Sequence, residues 1–315
     1  LSRLFYNTSI QRKIFVCRKI FLNHIFGKIF FGVGIMAENT RNLIKKHNIK
    51  LTKSLGQNFL TDERIVKKIV DTAELTDGDT VIEIGPGVGS MTVELAKRAE
   101  KVIAVEIDKR LIPALKENLD GFENIHIINM DIMDADIKEL HKAAQTGRLK
   151  VVANLPYYIT TPIIMKLLEE DYNISLMVFM VQKEVAHRMA AQPGGKDYGS
   201  LSVAVQYYSK PEIAFDVSPH CFVPQPDVDS TVIRLKRNET PPVKLLDKDL
   251  FFRTVKASFG QRRKTLVNAL YNCGGFQKTK EEIKEILHSL GIDENVRGEV
   301  LSITQFAELS NAFFE

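Results

Sequence analysis

Near residue 60 an alternation begins that few architectures can accommodate. Residues 62–73 carry Ile65, Ile69, Val70 and Ala73 at helical spacing, with Thr61 or Asp62 placed as N-cap. Residues 80–84 form a short β-branched run, 91–99 read as a helix, and 101–105 as a second strand. A helix over 110–118 follows, its Pro113 tolerated in the first turn. Apolar runs of strand length recur at 125–128, 150–153 and 175–181. Strands that alternate with helices imply βαβ units and a mostly parallel sheet covered on both faces. Two later runs, 201–208 and 231–235, have no long helix between them and are expected to pair as an antiparallel hairpin. After Pro241-Pro242 the texture changes: 250–259, 264–271, 280–290 and 303–313 all show helical periodicity. The expected class is therefore α/β over residues 36–240, with a small all-helical domain over 241–315.

Composition sets the limits on function. With 315 residues, 44% of them hydrophobic, the chain can bury a sizeable core, which excludes disordered and disulfide-stapled classes. Cys17, Cys221 and Cys273 form no C-x-x-C pair, and the seven His show no ligand spacing, so neither a disulfide framework nor a metal site is expected. A reducing compartment fits. The net charge of +4 is local in origin. Residues 1–35 hold six basic residues and no acid, and without them 37 basic residues face 39 acidic ones. The longest uncharged run there, 29–37, is far short of the ~18–20 apolar residues of a membrane span. The segment reads as an extension upstream of a start at Met36 and outside the fold; a mitochondrial transit peptide and a surface anchor are the alternatives.

Chemistry is concentrated at strand ends. Glu83-Ile84-Gly85-Pro86-Gly87-Val88-Gly89 leaves the first strand and enters a helix, where glycines permit close backbone approach to a ligand. A nicotinamide-binding turn looks similar, and so does a purely structural one. Glu106 ends the second strand, 21 residues after Gly85, where a carboxylate can accept from ribose hydroxyls. Met130-Asp131 ends the next, where an acid can meet an adenine amine. Taken singly, these acids are solvated strand-end residues. Asn154-Leu155-Pro156-Tyr157 ends the fourth strand. The Asn154 side-chain oxygen and the Leu155 carbonyl can both accept from one planar amino group, and Tyr157 offers a ring to stack a base. Two such acceptors favour pyramidalisation of an adenine amine, whose lone pair is otherwise delocalised. Hydride transfer has no use for that arrangement.

These motifs together resemble the ribosomal RNA adenine dimethyltransferase family, and within it the small-subunit type. The resemblance covers roughly residues 41–315. It also takes in Ser54-Leu55-Gly56-Gln57-Asn58-Phe59-Leu60, the stretch from Phe222 to Ser230, and Phe259-Gly260-Gln261-Arg262-Arg263-Lys264-Thr265-Leu266. It implies a Rossmann-like class I methyltransferase sheet and S-adenosylmethionine as cofactor. By the same resemblance, Asn58, Leu60, Gly85 and Gly87 lie along the cofactor, with Asn154 reaching it. Glu106 holds its ribose and Asp131 its adenine amine. Asn154, with the Leu155 and Pro156 backbone, grips the target N6, and Tyr157 and Phe222 sandwich the target ring. For Phe222 the alternative is a core aromatic beside Pro224 and Pro226.

The implied substrate is 16S rRNA in the 30S subunit, dimethylated at two adjacent adenosines near its 3′ end. The protein is expected to be cytoplasmic, monomeric and free of membrane. Two acid-free basic stretches are candidates for phosphate contact: 41–53, with Lys50 and Lys53, and 253–264, with Arg253, Lys256, Arg262, Arg263 and Lys264. A solvated helix face is the alternative for each. A large-subunit rRNA methyltransferase of the antibiotic-resistance type, and a ribosome assembly factor whose binding outweighs catalysis, are the rival functions.

Overall fold

The computed structural model describes residues 35–49, 56–144, 147–170 and 172–314. The expectation for the 1–35 extension lies outside the described residues except at Ile35, which opens a helix.

The strands are β1 (Phe59–Leu60), β2 (Asp79–Ile84), β3 (Lys101–Glu106), β4 (Ile125–Asn129) and β5 (Arg148–Asn154). They continue with β6 (Ile174–Gln182), β7 (Ser209–Val217), β8 (Phe222–Val223) and β9 (Ser230–Arg237). The helices of the sheet region are α1 (Ile35–Lys46), α2 (Glu63–Thr72), α3 (Ser90–Ala96), α4 (Ile112–Asn118), α5 (Ile137–Ala144), α6 (Thr160–Glu169), α7 (Lys183–Ala190) and α8 (Ser200–Tyr208). Those behind it are α9 (Lys248–Gly260), α10 (Leu266–Asn272), α11 (Lys280–Ser289) and α12 (Ile303–Phe314).

Seven strands form one sheet in the order β4-β3-β2-β5-β6-β9-β7. The first five are parallel, and β9 and β7 close the sheet antiparallel. Every residue of β2 is buried, as a central parallel strand covered on both faces requires. The strand order reverses at β2/β5, and the carboxyl ends of β2, β3 and β5 open on one crevice. A separate ribbon pairs β1 with β8, setting Leu60 opposite Phe222.

The hairpin expected from 201–208 is corrected. That segment is the helix α8, and the strand beside β9 is Ser209–Val217. Helix α8 is buried nearly all round, through Leu201, Val203, Ala204, Val205, Tyr207 and Tyr208, so its sequence has no polar face to betray a helical period. It ends where the Ser209 hydroxyl donates to the Val205 carbonyl, 2.9 Å away.

Beneath the sheet, buried Lys150 on β5 meets Asp79 on β2 at 2.9 Å and donates to the Ala73 and Glu74 carbonyls after α2. One cation thus neutralises a buried acid and caps a helix. Across position 240 the apolar core is continuous. Phe251 of α9 lies 5.5 Å from the Tyr207 ring of α8, and the Tyr198 hydroxyl donates to the Leu301 carbonyl.

Candidate active site

The chain leaves β2 with Gly85 still in the ladder, donating to the Val105 carbonyl, and then turns through positive φ at Gly85, Gly87 and Gly89. At Gly87 the requirement for glycine is double. Its φ is +62°, and a Cβ there would sit 2.9 Å from the Phe59 ring. The turn aims the Gly87 N–H at Glu106, whose Oε2 accepts it at 3.0 Å. The other oxygen, Oε1, accepts from the Asp108 N–H at 2.8 Å. Burial raises the Glu106 carboxyl pKa against these two bonds. Asp108 lies at the opposite extreme: Arg110 and, across the chain, the Gln57 amide hold it down to about 2.

A cavity of about 780 Å³, its open mouth included, lies over these strand ends. It brings together Asn58, Leu60, Gly85, Gly87, Glu106 and all four residues of the 154–157 corner. Glu83 lines it as well. This acid is only 1% exposed, its Oε2 has no partner among the described residues, and burial pushes its carboxyl up to about 8. Among the described residues no Lys, Arg or His lines the cavity. The Glu83 and Glu106 carboxyls, both buried in the wall, can serve a positively charged ligand when ionised. S-adenosylmethionine, a sulfonium, meets that condition.

The 154–157 corner is built at the end of β5. The Asn154 Nδ2 donates to the Asn58 carbonyl at 3.0 Å, which fixes the amide and leaves Oδ1 as its unengaged acceptor among the described residues. The Leu155 N–H is tied to the Met180 carbonyl of β6. The Pro156 carbonyl accepts from Ile159 N–H at 3.2 Å and from the Thr160 hydroxyl at 2.9 Å. These two bonds engage the Pro156 carbonyl in the turn that leads into α6. Tyr157 is half-buried, with its phenol oxygen 2.6 Å from the Ser230 Oγ.

Two expected residues lie off the cavity wall. Phe222 is 1% exposed in an apolar cluster with Leu60, Val66 and Val217. Its pairing with Leu60 places it beneath that wall residue, among apolar side chains. Asp131 lies after β4, which ends at Asn129, and its Oδ1 accepts from Met133 N–H. The neighbouring Asn129 amide and Met130 N–H both donate to the Glu106 carbonyl, so this segment borders Glu106.

Of the basic residues, Lys50 and Lys53 lie outside the described residues. Arg253, Lys256, Arg262, Arg263 and Lys264 are exposed on α9 and the turn after it, and Arg262 donates to the Lys196 carbonyl. Among the described residues no helix is long and apolar enough to cross a membrane. Sequence reasoning missed Glu83 as a lining group, although an acid inside a β-branched strand of a parallel sheet signals a buried charge. It also missed Gln57 and Ser230, whose partners are distant in the chain.

The ribosomal RNA adenine dimethylase family model matches residues 48–314. A ribosomal RNA small subunit methyltransferase A from Clostridioides difficile is 54% identical over 273 residues, which is 86% of this chain and 94% of the relative. One from Alkaliphilus oremlandii is 52% identical over 275 residues, covering 87% and 96%. Among solved structures, a dimethyladenosine transferase from Plasmodium falciparum superposes with a TM-score of 0.67 at 28% identity, covering 80% of this chain and 95% of the other. The 23S rRNA methyltransferase ErmE superposes with a TM-score of 0.63 at 27% identity, covering 82% and 100%.

Proposed function

The chain belongs to the ribosomal RNA adenine dimethylase family, and from that premise we infer that it dimethylates adenine N6 in small-subunit ribosomal RNA with S-adenosylmethionine. The observation that carries this is the 154–157 corner, where the Asn154 oxygen, unengaged among the described residues, borders a cavity lined by acids.

When bound, the cofactor supplies an electrophilic methyl carbon on a sulfonium. The protein's part is alignment. Asn154 Oδ1 and the Leu155 carbonyl accept the two N–H bonds of the target amine, favouring a pyramidal nitrogen whose lone pair points into the cavity. Such positioning contributes on the order of 7–11 kcal/mol to lowering a barrier. Tyr157 stacks the flipped base. Burial raises its phenol pKa, so it stays protonated and serves as a ring, not a base. The methylated nitrogen is strongly acidic and gives its proton to solvent, so a single N–H is left and the second transfer proceeds with one acceptor vacated and a methyl accommodated beside it.

Glu106 accepts the ribose hydroxyls, and Asp131 offers its second oxygen to the adenine amine. Asn58, Leu60, Gly85 and Gly87 form the walls. Glu83, which keeps its proton below about pH 8 in the ligand-free site, complements a cation once that proton is released. The target base leaves its stack at a cost of a few kcal/mol, least in single-stranded RNA. The exposed Arg253, Lys256, Arg262, Arg263 and Lys264 hold phosphates on the helical domain over 241–315, and Lys50 and Lys53 supply further positive charge for phosphate. The targets are two adjacent adenosines near the 3′ end of 16S rRNA, met in the 30S particle by a cytoplasmic monomer. The free thiols of Cys221 and Cys273 accord with a reducing compartment.

Purified 30S and 50S particles lacking the modification, incubated with methyl-labelled cofactor, test the reading. Label enters 30S RNA alone if it holds; label in 50S RNA favours the ErmE-type alternative.

A further inference from the structure

Tyr157 is held from a distance. Its phenol oxygen lies 2.6 Å from the Ser230 Oγ, and Ser230 is fully buried at the start of β9. The backbone around that serine is fixed on both sides. Ser230 stands opposite Gln182 of β6 and Val217 of β7 in the antiparallel ladders, and the preceding Asp229 carbonyl accepts from Lys183 N–H. Next to it, the Thr231 hydroxyl donates to Asp216, which Lys183 also engages. The serine backbone is therefore held in the sheet, and the bond between the two hydroxyls fixes the far end of the Tyr157 ring.

The segment from Phe222 to Ser230 acts at both ends. At one end Phe222 pairs with Leu60 in the β1–β8 ribbon, close to Asn58, whose carbonyl anchors Asn154. At the other end Ser230 anchors Tyr157. One stretch of chain, reading no base itself, thus sets the spacing between the acceptor and the ring of the clasp.

We propose that Ser230 is a positioning residue for methyl transfer, acting through Tyr157 by holding the stacking ring at the angle that presents the exocyclic amine to Asn154 and Leu155. This rests on the adenine-dimethylation reading above. Because Ser230 does not itself line the cavity and its hydroxyl reaches the site only through Tyr157, its loss changes the geometry of the target base and leaves the cofactor's surroundings intact.

The test uses the full chain, 30S particles lacking the modification, and four proteins: wild type, Ser230→Ala, Tyr157→Phe and the double variant. Ser230→Ala is expected to lower kcat about five- to tenfold, the loss typical of one hydrogen bond. The cofactor Kd by calorimetry should stay within about twofold, a split that general unfolding does not produce. Tyr157→Phe keeps the ring and removes only the hydroxyl, so its loss should match that of Ser230→Ala. The double variant should be no worse than either single one. The ratio of dimethylated to monomethylated adenine should fall in the same three variants, since the second transfer has one hydrogen bond fewer to orient the amine. Wild-type kcat in Ser230→Ala, or losses that multiply in the double variant, would overturn the proposal while leaving the wild-type activity standing. Wild-type protein inactive on 30S particles would instead overturn the underlying functional reading and the proposal with it.

Discussion

The Asn154 side-chain amide donates to the Asn58 main-chain carbonyl at 3.0 Å, so the orientation of the amide is set by a residue 96 positions earlier in the chain. That bond decides which end of the amide faces the cavity: the oxygen, an acceptor for an amine. Asn154→Ala removes the acceptor and keeps the backbone corner. We expect kcat on 30S particles to fall about 100-fold or more, as for a misplaced reactive group, with cofactor Kd nearly unchanged. Single-turnover kinetics with calorimetry on the same preparation provide the check.

Glu83 links pH to both stability and ligand binding. Its carboxyl is pushed up to about 8 by burial, whereas in the unfolded chain it titrates near 4.5. Between those values the folded state holds the extra proton, so this group's contribution to stability declines as pH rises from about 4.5 through 8. Glu83→Gln should flatten that decline, read as the denaturation midpoint of ligand-free protein at pH 6 and pH 9. A cationic cofactor favours the carboxylate, so wild-type affinity should strengthen with pH over the same range, and the variant's should not.

Lys150 is the most consequential buried cation. Lys150→Met leaves Asp79 without its 2.9 Å partner and the Ala73 and Glu74 carbonyls without a donor. Breaking a buried pair from one side costs about 3–5 kcal/mol. Urea unfolding should show a lowered midpoint and an unfolding free energy smaller by that amount. The doubly apolar Asp79→Leu/Lys150→Met variant should recover a large part of it.

The exposed cations after α9 are expected to bind phosphate. Replacing Arg263 and Lys264 with Ala should weaken RNA binding and reduce the slope of log K against log salt by about 0.7–0.9 for each phosphate no longer neutralised. Filter binding of small-subunit RNA from 50 to 200 mM salt measures this. An unchanged slope would return these residues to the role of a solvated face.

What can be read from the sequence is what is local. The glycine turn, Glu106 at its strand end and the 154–157 corner each declare themselves within a few residues, because strand, turn and helix start are short-range events. Helices behind position 240 are legible by periodicity. Helix α8 is not, since a segment buried on nearly every side carries little period. Asp131 reads as a strand end because nothing in the sequence marks β4 as ending at Asn129. The Pro156 carbonyl reads as free until Thr160 is considered, a hydroxyl four residues on that bonds back to it. The ties that orient the site, Asn58 to Asn154 and Ser230 to Tyr157, join positions far apart in the chain, and only the fold brings them together.

If the 154–157 corner presents an adenine amine for double methylation, mass-spectrometric mapping of 16S rRNA will show it after unmodified 30S particles react with wild-type and with Asn154→Ala protein. We expect N6,N6-dimethyladenosine at two adjacent positions near the 3′ end with wild type, and neither with the variant. Dimethylation by the variant at the wild-type rate, or no methyl group on small-subunit RNA with wild type, would contradict it.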